Sequence, residues 1–116
     1  MIVTIFVSDM DRSVRFYTEV LGCKLQVRYG DEWAELQSNG MTIGLHPASK
    51  ESPAGVKGSI QLGIQVSEPI QKVVDDMTAK GARFLGPVRD DDQILFAAFE
   101  DPDGNPLYLA EVKQKW

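Results

Sequence analysis

The chain has one histidine, His46, and one cysteine, Cys23, so acid–base, nucleophilic or metal chemistry would rest on few side chains. An imidazole with an ordinary pKa of about 6.5 suits a general base or a metal ligand near neutrality. His46 ends an apolar run beside Pro47, where an exposed histidine would do neither. Cys23 has no partner for an internal disulfide and no second thiol for a zinc cluster. It follows Gly22 at a predicted helix-to-strand junction, which fits a buried structural thiol better than a nucleophile. Serine, cysteine and histidine show no nucleophile–base spacing. The run Asp90-Asp91-Asp92 reads as a solvated loop, and as a cation-attracting lid only if it overhangs a site. What remains is binding chemistry: Phe6, Trp33 and Tyr108 as flat walls, with Thr4, Gln61 and Gln65 as polar contacts.

These residues need elements to position them. Ile2–Val7 alternates as a strand with Val3, Ile5 and Val7 on one face. Ser8-Asp9 offers helix N-caps, and Val14, Tyr17, Val20 and Leu21 recur at helical spacing until Gly22. Strands are predicted at Lys24–Tyr29, Trp33–Gln37 and Met41–His46, the last entered through an Asn39-Gly40 turn. Pro47–Gly58, rich in Pro, Ser, Gly and Lys, is a linker. The pattern then restarts with alternation from Ile60 to Val66. Ser67 is expected to cap a helix with Pro69 in its first turn, an apolar stripe of Ile70, Val73, Val74 and Met77, and a stop at Gly81. Strands at Arg83–Leu85, Leu95–Phe99 and Leu107–Val112 close the chain, the last two joined by Asp101-Pro102-Asp103-Gly104-Asn105, a strong turn signal.

The halves repeat. Val7-Ser8-Asp9 matches Val66-Ser67-Glu68, and Gly22 lies 15 positions after Val7 as Gly81 does after Val66. Gly40 leads into Met41–Leu45 as Gly104 leads into Asn105–Leu109. The reading is an α+β fold of tandem βαβββ modules in one domain spanning 1–116: residues 1–46 and 59–112, with 47–58 between. One face of each strand set is apolar. The other carries Ile2, Thr4 and Phe6; Thr42, Gly44 and His46; Ser59, Gln61, Gly63 and Gln65; and Tyr108 and Ala110. That mixture suits a ligand cleft formed where two curved half-sheets meet better than it suits a core. Glu111 alternates away from this face, whereas alternation does not settle which face holds Trp33 and Glu35.

Composition narrows the function. A 116-residue chain that is 43% hydrophobic and 25% charged is an ordinary globular protein able to bury a core unaided. A net charge of -5 argues against nucleic-acid and anionic-membrane partners, which need a basic face. With no secretory or membrane-spanning run, the expected location is the cytoplasm.

The motifs VSDMDRSVRFYTEVLG at Val7–Gly22, WAELQSNGMTIGL at Trp33–Leu45 and FEDPDGNPLYLAE at Phe99–Glu111 resemble the vicinal oxygen chelate superfamily. That group includes glyoxalase I, bleomycin-resistance proteins, extradiol dioxygenases and fosfomycin-resistance enzymes. The resemblance implies paired βαβββ modules, commonly homodimeric and sometimes exchanged across the linker. In the enzymes it implies a divalent metal held by His, Gln or Glu at four symmetry-related positions. Here those positions read Ile2, Gly44, Gln61 and Tyr108. Two offer no side-chain donor, an amide is a weak ligand, and a phenol of pKa ~10 is a poor one. The resemblance therefore points to a metal-independent small-molecule-binding protein, with no cofactor, similar to the bleomycin-resistance branch. The competing expectation is a glyoxalase-I-like lyase or isomerase, or a dioxygenase, using a divalent metal on relocated ligands such as His46, Gln61 and Glu35.

Overall fold

The computed structural model describes residues 2–38, 40–55, 61–91 and 94–113. Asn39 of the first hairpin, Ser59 and Ile60 at the start of the second half, Asp92 of the acidic run and the end of the linker lie outside the described residues.

The chain adopts the expected α+β fold. The first half runs β1 (Ile2–Val7), α1 (Met10–Arg15), β2 (Lys24–Tyr29), β3 (Trp33–Ser38) and β4 (Met41–Pro47). The second runs β5 (Leu62–Gln65), α2 (Ile70–Ala79), β6 (Arg83–Phe84), β7 (Arg89–Asp90), β8 (Ile94–Glu100) and β9 (Pro106–Val112). Each half makes its own mixed sheet, ordered β1-β4-β3-β2 and β5-β9-β8-β6, with β7 also pairing β8. The first strand of each half lies parallel to its last, β1 on β4 and β5 on β9, and the other pairs are antiparallel. That parallel pairing needs a crossover, which α1 and α2 supply.

One core serves both sheets. Ile5, Val7, Leu36, Ile43 and Leu45 of the first join Ala97, Phe99, Leu107 and Leu109 of the second, all buried. Just past α1, Phe16 reaches across to Phe99, with ring centroids 6.5 Å apart. Beyond Arg15 the helix widens into a π-helical turn over Phe16–Val20, in which the Leu21 N–H bonds the Phe16 carbonyl at 3.1 Å. This turn lets Tyr17 face inward, fully buried, before Gly22 (φ +78°) reverses the chain.

The turn Asp101–Asn105 joins the halves. The buried Asp101 carboxylate accepts from the Tyr17 hydroxyl (2.9 Å), the N–H groups of Asp103 (3.0 Å) and Asn105 (2.8 Å), and the Asn105 amide (2.8 Å). The same amide donates to the Phe6 carbonyl at 3.2 Å. Asp103 accepts from the Ser8 N–H (3.0 Å), the Ser8 hydroxyl and the Arg12 guanidinium (3.1 Å). So many donors are what permits a carboxylate to be buried at all.

One local expectation holds and two change. Asp9 caps α1 through the Arg12 N–H at 3.0 Å, while Ser8 is held by Asp103. Ser67 does not cap α2: the Val66 N–H still bonds Ala110 at 2.8 Å, so the chain stays extended and the helix starts only after Pro69, its cap residue. The side-chain cap comes instead from Glu111, whose carboxylate accepts the Ile70 N–H at 2.8 Å. Third, Asp90 is not in a loop but in the two-residue β7, paired with Leu95 and bridged to Lys113 at 2.8 Å.

Candidate functional site

Cross-strand register settles which side chains share the open face of the first sheet. Ala34 and Leu36 are buried, so Trp33, Glu35 and Gln37 take the opposite side. Glu35 pairs with Gly44, which pairs with Thr4; Gln37 pairs with Thr42, which pairs with Ile2. Phe6 pairs with His46, and Tyr29 with Trp33. The rings form a row: Phe6 meets His46 at 5.9 Å and His46 meets Trp33 at 6.2 Å, both edge to face. Of the expected contact residues, the structure brings together Thr4, Phe6, Trp33 and His46.

The Trp33 indole lies across Gly44, where even a methyl group would collide with it. Its N–H donates to the Glu35 carboxylate at 2.9 Å. Gln37 donates to the Thr42 hydroxyl at 2.6 Å. The His46 Nδ1 lies 2.9 Å from the Pro47 carbonyl, which fixes the ring and makes Nδ1 the protonated nitrogen of the neutral form.

The second sheet repeats the arrangement with different residues. Tyr108 pairs with Gly63 and lays its ring over it, and Gln65 pairs with Ala110. Phe96 pairs with Ala110 and meets Tyr108 at 6.3 Å, edge to face. The Arg89 guanidinium stacks on Phe96, 4.7 Å from its centroid. Because Ala34 pairs with Leu45 and Ala97 with Leu109, Phe96 holds in this sheet the place of Trp33 in the first. Gln65 and Tyr108 thus belong to a second group, on the other sheet from Trp33 and His46, and Gln61, expected within the strand, stands exposed just before β5. Thr4 and Phe6 lie nearest the junction, lining a recess of about 180 Å³ with Pro53, Leu62, Asn105 and Pro106.

Sequence reasoning left Phe96 and Arg89 out of the site. Phe96 sits within an apolar run, and β7 has two residues and hence no alternation to read. Cys23 is buried, and that burial raises its thiol pKa above the ordinary value.

The four positions at which the resemblance implies a metal do not make a ligand set. Ile2 has no donor and is 52% exposed, Gly44 is roofed by Trp33, Gln61 is exposed, and Tyr108 lies over Gly63. No three His, Cys, Asp or Glu side chains converge among the described residues. No helix of the described residues is long and apolar enough to cross a membrane.

Comparison with known proteins agrees with the fold. The chain is 35% identical over 120 residues to a protein of Arabidopsis thaliana described as a probable chloroplastic lactoylglutathione lyase; the match covers 90% of the chain but 33% of the lyase. It is 32% identical over 116 residues to virulence protein STM3117 of Salmonella typhimurium, covering 93% of the chain and 78% of that protein. Among solved structures, TnmS3, an antibiotic-binding protein from Streptomyces sp. CB03234, superposes with a TM-score of 0.80 at 23% identity, covering 97% of the chain and 93% of that protein. At that identity the likeness establishes the fold. A model of the Glyoxalase/Bleomycin resistance protein/Dioxygenase superfamily matches residues 2–109, and the chain belongs to that superfamily.

Proposed function

We propose that this protein binds a small organic molecule on the open faces of its sheets without a metal ion. The observation that carries the reading is Gly44 under the Trp33 indole: a position the enzymes of the family would give to a ligand holds an aromatic wall instead. Thr4, Phe6, Trp33 and His46 form the contact surface on one sheet, and Gln61, Gln65 and Tyr108 on the other. Two chains related by a twofold axis would set one sheet's face against the other's and close two clefts. The likeness in fold to an antibiotic-binding protein supports this reading without naming the ligand.

The similarity to a lactoylglutathione lyase keeps a catalytic reading in play. It requires a divalent ion on His46, Gln61 and Glu35, which stand on two sheets and must come together in a dimer. Elemental analysis of the purified protein decides between them. Binding alone predicts substoichiometric divalent metal, unchanged in His46→Ala. A full equivalent of metal per chain, lost in that variant, would overturn it. A thermal-shift screen of thiol conjugates, cationic glycopeptides and metals then looks for the ligand, since a molecule held at 100 times its Kd stabilises the fold by about 2.7 kcal/mol.

A further inference from the structure

Glu35 is the unusual member of the first sheet's open face. Its carboxylate stands against the Trp33 indole, half-buried, and its partner is a neutral donor, the Trp33 indole N–H at 2.9 Å. No lysine, arginine or histidine pairs with it among the described residues. Elsewhere Asp101 is held by four neutral donors, Glu111 by the Ile70 N–H at the start of α2, Asp103 by Arg12 and Glu100 by Arg83 at 3.2 Å, whereas the contact of Glu35 is the single indole N–H. Lys24, the lysine on this face, stands on the outer strand opposite Gln37, and no ion pair joins it to Glu35. A carboxylate partly withdrawn from water with no counter-charge is costly unless something supplies one.

Around it, Trp33, His46 and Phe6 present ring faces and edges in one row. Aromatic faces attract cations through their quadrupoles, tryptophan most strongly, and more so when water is excluded. The Gly44 position leaves the floor between Glu35 and Thr4 without a side chain, and the indole spans it. From these residues the geometry points to an organic cation as the ligand: a flat or quaternary nitrogen-bearing group that stacks on Trp33 while Glu35 neutralises its charge. This inference rests on the binding function proposed above, and it assigns Glu35 as the residue that selects for charge. On the second sheet a cation of the chain itself, Arg89, already stacks on Phe96.

The test uses three probes of one shape at pH 8: 1-methylquinolinium (cation), 2-methylquinoline (neutral) and quinoline-2-carboxylate (anion). The Trp33 indole N–H resonance is followed in a Trp116→Phe background, where it is the sole indole signal. The expected order is cation over neutral by roughly tenfold, the anion weakest, with Glu35→Gln bringing the cation down to the neutral probe and leaving the latter unchanged. Equal binding of cation and neutral probe by the unaltered protein overturns the charge assignment while the binding face stands. Retention of the preference in Glu35→Gln removes Glu35 from the role. If no probe moves the Trp33 signal at any concentration, the face is not a ligand site, and the parent proposal fails with it. The charge series on the unaltered protein decides the matter even if the variant folds poorly.

Discussion

Tyr17 and Asp101 meet in the core at 2.9 Å, a hydroxyl donating to a carboxylate that also holds three N–H donors. Burial first, and then the neighbouring negative charge, push the Tyr17 phenol well above its ordinary pKa. The native state therefore keeps the proton longer than the unfolded chain, whose tyrosines ionise near pH ~10. A raised native pKa means this contribution is complete below about pH 10 and is lost as pH climbs toward the native value. Tyr17→Phe removes the hydroxyl and its titration together. It should cost about 1.5–3 kcal/mol in urea unfolding at pH 7, the range for hydrogen bonds to charged groups. Above pH ~10 its stability should fall less steeply than that of the unaltered protein. Parallel alkaline limbs for the two proteins would show that Tyr17 is not the group responsible. The sequence placed Tyr17 on an inward stripe; that its partner lay 84 residues away was not legible, because a turn motif such as Asp101–Asn105 accounts for itself locally.

Among the elements, strand parity was readable and the sign of a face was less so. Val3, Ile5 and Val7, like Leu107 and Leu109, announce their inner face as unbroken aliphatic sets, whereas the alternate residues mix Ile2, Thr4 and Phe6, or Tyr108 and Ala110. In β3 both faces carry a large apolar residue, Trp33 on one and Leu36 on the other, so only the position of the shared core decides. The α2 start was misplaced for a similar reason. Ser67 is a good cap by type, but its neighbour Val66 is claimed by the ladder with β9, and cap preference loses to a strand bond that continues the sheet. Glu111 takes over from the strand, bringing its negative charge to the positive end of α2. Glu111→Ala should therefore lower stability by about 1 kcal/mol, the usual cost of a lost N-cap, and speed exchange of the Ile70 amide. If that amide is equally protected in the variant, the contact is incidental. Ser67→Ala, by contrast, should leave both quantities unchanged.

At the scale of the whole molecule, two pseudo-equivalent sheets share one core while their opposite faces stay open. Internal repetition made that division legible, since matched strand, helix and glycine positions recur in each half. What holds the halves together was not, because the contacts of Ser8, Arg12 and Tyr17 with Asp101 and Asp103 join segments with no local signal between them. The open faces have a consequence for assembly. Tyr29 is 66% exposed beside Trp33, Ile2 is 52% exposed near the junction, and Leu85, just past β6, is 55% exposed. Burying such residues against a partner is favourable at about 25 cal/mol per Å² of apolar surface, and a stable pair buries roughly 1,200–2,000 Å² in all. The proposed homodimer covers these residues. Light scattering at micromolar concentration should give twice the mass of the chain, and the melting temperature should rise with protein concentration. Tyr29→Glu, a charge placed on the proposed covered surface, should shift the population toward monomer while Asp101 and its donors keep each chain folded. A protein that is monomeric at those concentrations would instead have to form its site on a single sheet, and the probes of the Trp33 face would then bind with no dependence on protein concentration.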